Sequence, residues 1–230
     1  MYKGKTVNII MPVYNEERTL EEVIRRVLKQ KMVDRLIIVN DASKDNSLSI
    51  IKKMARKDRR ITYFTNNPNR GKGYSVRRAL AEVKKGIILV QDADKEYYPE
   101  DYPKLFAAMA PNTVVYGTRM GEKESGHRYL LAKGANIMIT ALFNGLYFQH
   151  LTDLNTCYKV FTKDMLDGIT LKADRFMGEA EICIGLAKKG YKVKEVPVRY
   201  HGRTYAEGKK IGAADAIGYV GFIILKRFIN

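Results

Sequence analysis

Residues 87–96 read Ile-Ile-Leu-Val-Gln-Asp-Ala-Asp-Lys-Glu, and the fold turns on the break in the middle of that run. An apolar stretch of about five residues without alternation reads as a strand covered on both faces, the form strands take inside a parallel sheet. It gives way at once to three carboxylates, Asp92, Asp94 and Glu96. The same grammar recurs on the N-terminal side. Residues 7–11 (VNIIM) form an apolar run that leads into Pro12-Val-Tyr-Asn-Glu16, and residues 35–40 (RLIIVN) lead into Asp41-Ala-Ser-Lys-Asp45. Further strands are expected at 61–65 and 113–117, the latter closing the first half of the sheet. Helices are expected at 45–56 (Leu48, Ile51, Met54) and 74–84. Another, beyond Thr19-x-x-Glu22, carries Leu20, Val23, Ile24, Val27 and Leu28 on one face, with Thr19 and Glu22 as a capping box.

Strands alternating with amphipathic helices predict an α/β chain with a mostly parallel sheet flanked by helices. Ligands of such sheets bind at the carboxyl ends of the strands, where the three acidic loops fall. After Arg119 the pattern changes. A polar, mobile loop is expected to Arg128, followed by an apolar helix at 129–148, a strand at 157–161, a helix at 178–189 and a strand at 191–196. A basic loop at 201–210 and an amphipathic C-terminal helix over 211–230 complete the chain. No linker breaks residues 1–210, which read as one catalytic domain with a nucleotide-binding half (1–117) and an acceptor half (118–210).

Composition narrows the partners. Across 230 residues, 41 Lys and Arg face 25 Asp and Glu, a net charge of +16. An anionic partner is implied: a nucleic acid, an anionic membrane or a phosphate-bearing substrate. Nucleic acid fits poorly, since no zinc finger or aromatic RNA-binding pattern is present and acidic loops occupy the rim where a polyanion would lie. Cys157 and Cys183 lack metal-site spacing and read as buried thiols. No signal peptide or bilayer-spanning run is read, so the chain is expected in the cytoplasm.

The acidic pair Asp92/Asp94 can hold a hard divalent cation against a diphosphate, with Glu96 as a further oxygen ligand; it can equally cap the next helix. Asp41 can accept a ring N–H of uracil or guanine, or serve a turn. Residues 66–73 (NNPNRGKG) resemble a phosphate loop, with glycines for close backbone approach and charge from Arg70 and Lys72.

In this order the motifs PVYNE (12–16), NDASKDNS (40–47), NRGKG (69–73), QDADKE (91–96), GTR (117–119), DLNTCYKVF (153–161) and RxxxEGKK (203–210) resemble the family 2 glycosyltransferases. The likeness is to the polyprenyl-phosphate group typified by dolichol-phosphate mannose synthase. The resemblance implies a GT-A (Rossmann-like) fold and a metal-dependent, inverting transfer of mannose or glucose from a GDP- or UDP-sugar to a polyprenyl or dolichyl phosphate. It implies nucleotide contacts from Pro12, Tyr14, Glu16, Asp41, Arg70, Lys72 and Asp92. Asp92, Asp94 and Glu96 would bind Mg²⁺ or Mn²⁺. Arg119, Arg128, Asn136, Arg203 and Lys209 would surround the acceptor phosphate, with Asp94, Arg119, Arg128 and Lys159 at the reacting centre.

A lipid phosphate is already anionic and needs no strong base. A sugar hydroxyl acceptor would need one, and Glu179 or Glu181 is then the expected residue, with Glu181 preferred. The terminal helix, with Tyr219, Phe222, Lys226, Arg227 and Phe228, is expected to lie on the inner face of the membrane or to pack on the domain, a second copy or a membrane partner protein.

Overall fold

The computed structural model describes residues 1–120, 130–175, 177–203 and 213–229. Seven strands form its sheet: β1 (Val7–Val13), β2 (Arg35–Asn40), β3 (Ile61–Thr65), β4 (Ile87–Val90), β5 (Thr113–Thr118), β6 (Lys159–Thr162) and β7 (Lys192–Pro197). Their order is β3-β2-β1-β4-β6-β5-β7. The pairs β1/β2, β1/β4, β2/β3 and β5/β7 are parallel, whereas β6 runs antiparallel to both its neighbours.

This order changes one expectation. The strand at 113–118 does not close the first half, because β6 lies between it and β4. Sequence neighbours usually pair, but here the intervening position is filled by a strand from more than 40 residues later. A single sheet therefore runs through both halves of the chain.

Burial explains why the strands read as unbroken apolar runs. Ile87–Val90 is buried throughout, as are Leu36, Ile37, Ile38 and Val39 of β2, because helices cover both sheet faces. The polar exception in β1, Asn8, donates from its amide to the carbonyls of Lys85 and Ile87. Helix α1 (Leu20–Lys29) buries Leu20, Val23, Ile24 and Val27, the stripe expected from its spacing. In α2 (Ser47–Lys57) the buried set is Ser47, Ile51 and Met54, with Leu48 only half-buried.

The capping box ahead of α1 does not form. Thr19 makes no side-chain cap; its hydroxyl bonds the Glu16 carboxylate at 3.3 Å and the Ala93 carbonyl at 3.0 Å. It thereby joins the loop after β1 to the loop after β4.

Helix α3 (Lys72–Ala81) starts two residues earlier than its apolar pattern suggested. Its N-terminal turn meets α6 (Met177–Lys188) at Gly73 and Gly178, where a Cβ on Gly73 would lie 2.9 Å from the Gly178 Cα. Only hydrogen-sized side chains allow that approach. Short α4 (Tyr102–Ala107), which the sequence reading omitted, packs Leu105 and Phe106 into the core. Helices α5 (Leu130–Tyr147) and α7 (Ala213–Phe228) contact one another, with the Tyr147 hydroxyl donating to the Ile223 carbonyl at 2.8 Å. Among the described residues no helix is long and apolar enough to cross a membrane.

Candidate active site

Strands β1 and β2 end level, Val13 beside Asn40, so their loops meet on one rim. Backbone and side chain stitch them together. Asn15 N–H donates to Ser43 Oγ, Glu16 N–H to Ser47 Oγ, Glu17 N–H to Asp45, and Lys44 N–H to Asn15 Oδ1. Asn15 and Ala42 both take positive φ, 54° and 58°, the tight turns this interlock requires. Pro12 belongs to β1 itself, and Tyr14 begins the loop beyond it.

Asp41, buried at the end of β2, holds the phosphate-loop segment. Its carboxylate accepts from Asn66 Nδ2 at 2.7 Å, Arg70 N–H at 3.0 Å and Gly71 N–H at 2.6 Å. A carboxylate offers about four acceptor positions, so capacity for roughly one further donor remains. The structure thus gives Asp41 a loop-fixing task that the base-binding reading had not included. Arg70 stacks over Tyr74, 4.1 Å from the ring centre, and pairs with Asp174 at 3.0 Å, an exposed pair.

At the end of β4 the two acids part company. Gln91 accepts the hydroxyls of Tyr102 and Tyr158 at 2.6 and 2.8 Å and donates to the Asp92 carbonyl, fixing the turn. Asp92 pairs with Lys72 Nζ at 2.6 Å, and the same ammonium lies 3.1 Å from Glu179. Burial opposes ionisation of Asp92, but the adjacent ammonium holds its carboxyl below the usual range. Burial likewise works against the Lys72 charge, and Asp92, Cys157 and Glu179 more than restore it, so Lys72 titrates well above an ordinary lysine.

Asp94 has the opposite fate. Burial, and then the Asp92 and Glu96 charges, push its carboxyl up to about 8 against the pull of Arg203. Arg203 reaches it at 2.5 Å, touches Glu16 at 3.1 Å and lies 3.6 Å from Glu96. Glu96 also accepts the Arg203 N–H at 2.7 Å and the Tyr200 hydroxyl at 3.1 Å, so its carboxylate anchors the 200–203 segment as much as it faces Asp94.

The residues suit a divalent cation. Two carboxylates separated by one residue, with Glu96 close by, are what a hard ion needs. Among the described residues no three His, Cys, Asp or Glu side chains form a ready cage, so phosphate oxygens and water would complete the shell.

On the second half, Arg119 follows β5 and grips Asp153 through Nε and Nη2, both at 2.7 Å. Asp153 is fully buried; it also accepts the Arg119 N–H and the Asn136 amide. Burial works against the Asp153 charge, yet the bidentate guanidinium keeps its carboxyl below the usual range. Glu195 on β7 accepts the N–H groups of Thr152 and Asp153, and Asn155 donates to Asn136. Arg119 and Asn136, expected at the acceptor phosphate, are thus brought together around one aspartate. That aspartate was legible only as the first letter of DLNTCYKVF.

Lys159, buried at the start of β6, donates to the Thr156 carbonyl and lies 5.3 Å from the centre of the Tyr116 ring. Arg128 and Lys209 lie outside the described residues.

The two helical glutamates separate sharply. Residues two apart on a helix face nearly opposite ways. Glu179 turns to Lys72 and the acidic rim. Glu181 accepts the N–H groups of Lys172 and Ala173 at 2.6 and 2.7 Å, and its other oxygen lies 2.9 Å from Lys226 on α7. The preference for Glu181 as a base is therefore corrected, since both of its oxygens are spent tying a turn and the last helix to α6.

The model of glycosyl transferase family 2 matches residues 8–170, which include these rim loops and the Asp92/Asp94 pair. The chain belongs to this family. Among relatives of this family 2 glycosyltransferase is the undecaprenyl-phosphate 4-deoxy-4-formamido-L-arabinose transferase of Proteus mirabilis. It is 31% identical over 73% of this chain, a match that spans 52% of the relative's length. Another is the UDP-N-acetylglucosamine–dolichyl-phosphate N-acetylglucosaminyltransferase of Methanococcus voltae, 27% identical over 98% of this chain and 95% of its own. The fold matches that of glucosyl-3-phosphoglycerate synthase from Mycobacterium tuberculosis, solved with Mn²⁺, UDP and phosphoglyceric acid. The TM-score is 0.70 at 20% identity, covering 99% of this chain and 80% of that one.

Proposed function

We propose that this family 2 glycosyltransferase moves a hexose, mannose or glucose, from GDP or UDP to a polyprenyl or dolichyl phosphate, with inversion and with Mg²⁺ or Mn²⁺. The observation that carries the reading is the Asp92/Asp94 pair at the end of β4, flanked by Lys72 and Arg203. Relatives named as polyprenyl-phosphate sugar transferases support the acceptor class.

In this reading an oxygen of the lipid phosphate attacks the anomeric carbon, and the bond from that carbon to the diphosphate oxygen breaks. The nucleoside diphosphate leaves with the electron pair, and no proton has to move. A bound divalent cation supplies Lewis-acid stabilisation of the leaving diphosphate. Asp94 and Asp92 would hold it, with Glu96 at the margin. Lys72 and Arg203 would neutralise the remaining diphosphate charge in a site where burial strengthens such contacts. Asp41 would take the ring N–H of the base with its remaining capacity, beside Pro12, Tyr14, Glu16 and Arg70. Arg119 still has N–H groups not used by Asp153, and these, with Asn136, Arg128, Lys159 and Lys209, would receive the acceptor phosphate.

Peripheral attachment to the inner face of the membrane is part of the proposal. Ile137 and Met138 on α5 and Ile224, Leu225 and Phe228 on α7 are exposed, with Phe148 and Ile229 beside them and Lys226 and Arg227 close by. Apolar side chains bordered by cations suit an anionic bilayer surface. A homo-oligomer or membrane partner protein could share this face.

The deciding experiment incubates the protein with Mg²⁺ or Mn²⁺, short polyprenyl phosphate in detergent, and a panel of UDP-glucose, GDP-mannose and UDP-N-acetylglucosamine. Lipid-linked monosaccharide and nucleoside diphosphate are expected from one donor. Transfer only to sugar hydroxyls would replace the acceptor. Glu179, the glutamate that faces the rim, then becomes the base, and Glu179→Gln should abolish that transfer.

A further inference from the structure

Three carboxylates from two separate loops converge on a single guanidinium. Arg203 contacts Asp94 at 2.5 Å through one terminal nitrogen and Glu16 at 3.1 Å through the other. Glu96 lies 3.6 Å from its Nε and receives its backbone N–H at 2.7 Å. The backbone around it is anchored too. His201 N–H donates to the Glu96 carbonyl at 2.9 Å, the Tyr200 hydroxyl reaches Glu96, and Tyr97 and Tyr200 form a bridge and a ring contact at 5.1 Å. The guanidinium therefore stands where the acids of the β4 loop are densest, on one of the two carboxylates proposed to hold a divalent cation.

We infer that Arg203 is the resident counter-ion of the acidic rim, competing with the divalent cation for Asp94 until a nucleoside diphosphate arrives to take the guanidinium. The inference rests on the glycosyltransferase reading above and assigns Arg203 a task other than holding the acceptor phosphate. A fork of N–H groups fits carboxylate and phosphate equally well, so the same side chain can change partners without changing its chemistry. Charge arithmetic favours the exchange. A cation arriving alone must compete with Arg203 for Asp94 and leave the guanidinium with only Glu16 and Glu96. A cation arriving with a diphosphate brings an anion for Arg203 to bind. Metal and nucleotide should then each strengthen the other's binding, and this coupling is reciprocal by linkage.

Lys72 differs in geometry: it bridges Asp92, the other proposed metal ligand, to Glu179, and its ammonium lacks the fork that would let it exchange a carboxylate for a diphosphate without changing its contacts. Lys95 provides a control: it is adjacent to Asp94 in sequence, but it is exposed and pairs with Glu22 at 3.1 Å.

The test measures Mn²⁺ binding to the purified protein by electron paramagnetic resonance and calorimetry, alone and with saturating UDP or GDP. No turnover is needed. For the wild type, Mn²⁺ alone should bind weakly and the nucleotide should tighten it. Arg203→Met should tighten Mn²⁺ alone by about 10-fold, within the range typical of site-to-site coupling. It should also weaken UDP or GDP binding in the presence of Mn²⁺, shrinking the coupling. Arg203→Lys, which keeps the charge, should fall between the two, and Lys95→Met should match the wild type.

An unchanged or weaker affinity for Mn²⁺ alone in Arg203→Met, with wild-type coupling intact, overturns the inference and leaves the glycosyltransferase reading standing. An equal gain in Lys95→Met also overturns it, as a general effect of removing charge. Absence of Mn²⁺ binding in every protein, with or without nucleotide, overturns both. Thermal melts of each variant identify a misfolded one, in which case Arg203→Lys carries the measurement.

Discussion

Two arginines, Arg119 and Arg203, sit at the ends of the same sheet and were read from sequence as partners at one phosphate. Their surroundings differ in one respect. Arg119 meets one buried carboxylate, Asp153, in a bidentate pair whose remaining acceptor positions are filled by Asn136 and backbone. Among the described residues Arg203 meets three carboxylates, those of Glu16, Asp94 and Glu96. The Arg119–Asp153 pair joins β5 to the 152–155 turn and leaves Arg119 N–H groups for the proposed acceptor phosphate. A cluster of three acids on one guanidinium is, in the proposed reading, where a divalent cation would bind. What differs among the described residues is the number of acids around each guanidinium, one at Arg119 and three at Arg203.

The largest effect that would sharpen this contrast is on chemistry. Asp94→Asn removes a carboxylate of the three-acid cluster, and transfer should drop by about 1,000-fold, the scale of losing a key electrostatic group, with the melting temperature nearly unchanged. Chelation of divalent ions should silence the wild type to a similar degree, and added Mg²⁺ or Mn²⁺ should restore it. Activity that persists in EDTA would break the contrast at its functional end.

At Asp153 the loss should be structural. Asp153→Ala leaves the Arg119 charge buried without its carboxylate and should destabilise the fold by about 3–5 kcal/mol in denaturant titration. Arg203→Met should cost much less, and equal losses would erase the distinction. A smaller effect concerns the seam between the halves. Gly178→Ala places a methyl against the Gly73 Cα and should cost about 1–3 kcal/mol, the usual penalty of overpacking.

The smallest effect is on pH. The folded carboxyl of Asp153 lies below its unfolded value of about 3.9, so the unfolded state binds more protons in that window and the stabilisation is lost as pH falls through it. Asp153→Asn should flatten the fall in melting temperature below about pH 5 relative to the wild type.

The strands and the acidic rim were legible because parallel strands buried on both faces carry unbroken apolar runs and because Asp92, Asp94 and Asp41 follow them directly. Other features depended on distant parts of the chain. Thr19 looked like a helix cap, yet its hydroxyl is drawn to Ala93, 74 residues away. Glu179 and Glu181 cannot be told apart by type, and only the placement of α6 against Lys72 on one side and Lys226 on the other decides which faces the rim. The role of Asp41 in holding residues 66–71 was hidden for the same reason: backbone N–H groups leave no mark on sequence.

The antiparallel β6, wedged between β4 and β5, has a consequence for assembly. Strands β1 to β4 can pair among themselves as they leave the ribosome, using only short crossovers. Strand β5, though made next, has no sheet neighbour until residues 159–162 emerge and slot in beside β4. Non-local pairing of this kind is slow and exposes apolar surface while it waits. The nascent chain should therefore hold a four-stranded platform with a loose edge at β4, and that edge is the natural point for a chaperone to hold or for aggregation to begin.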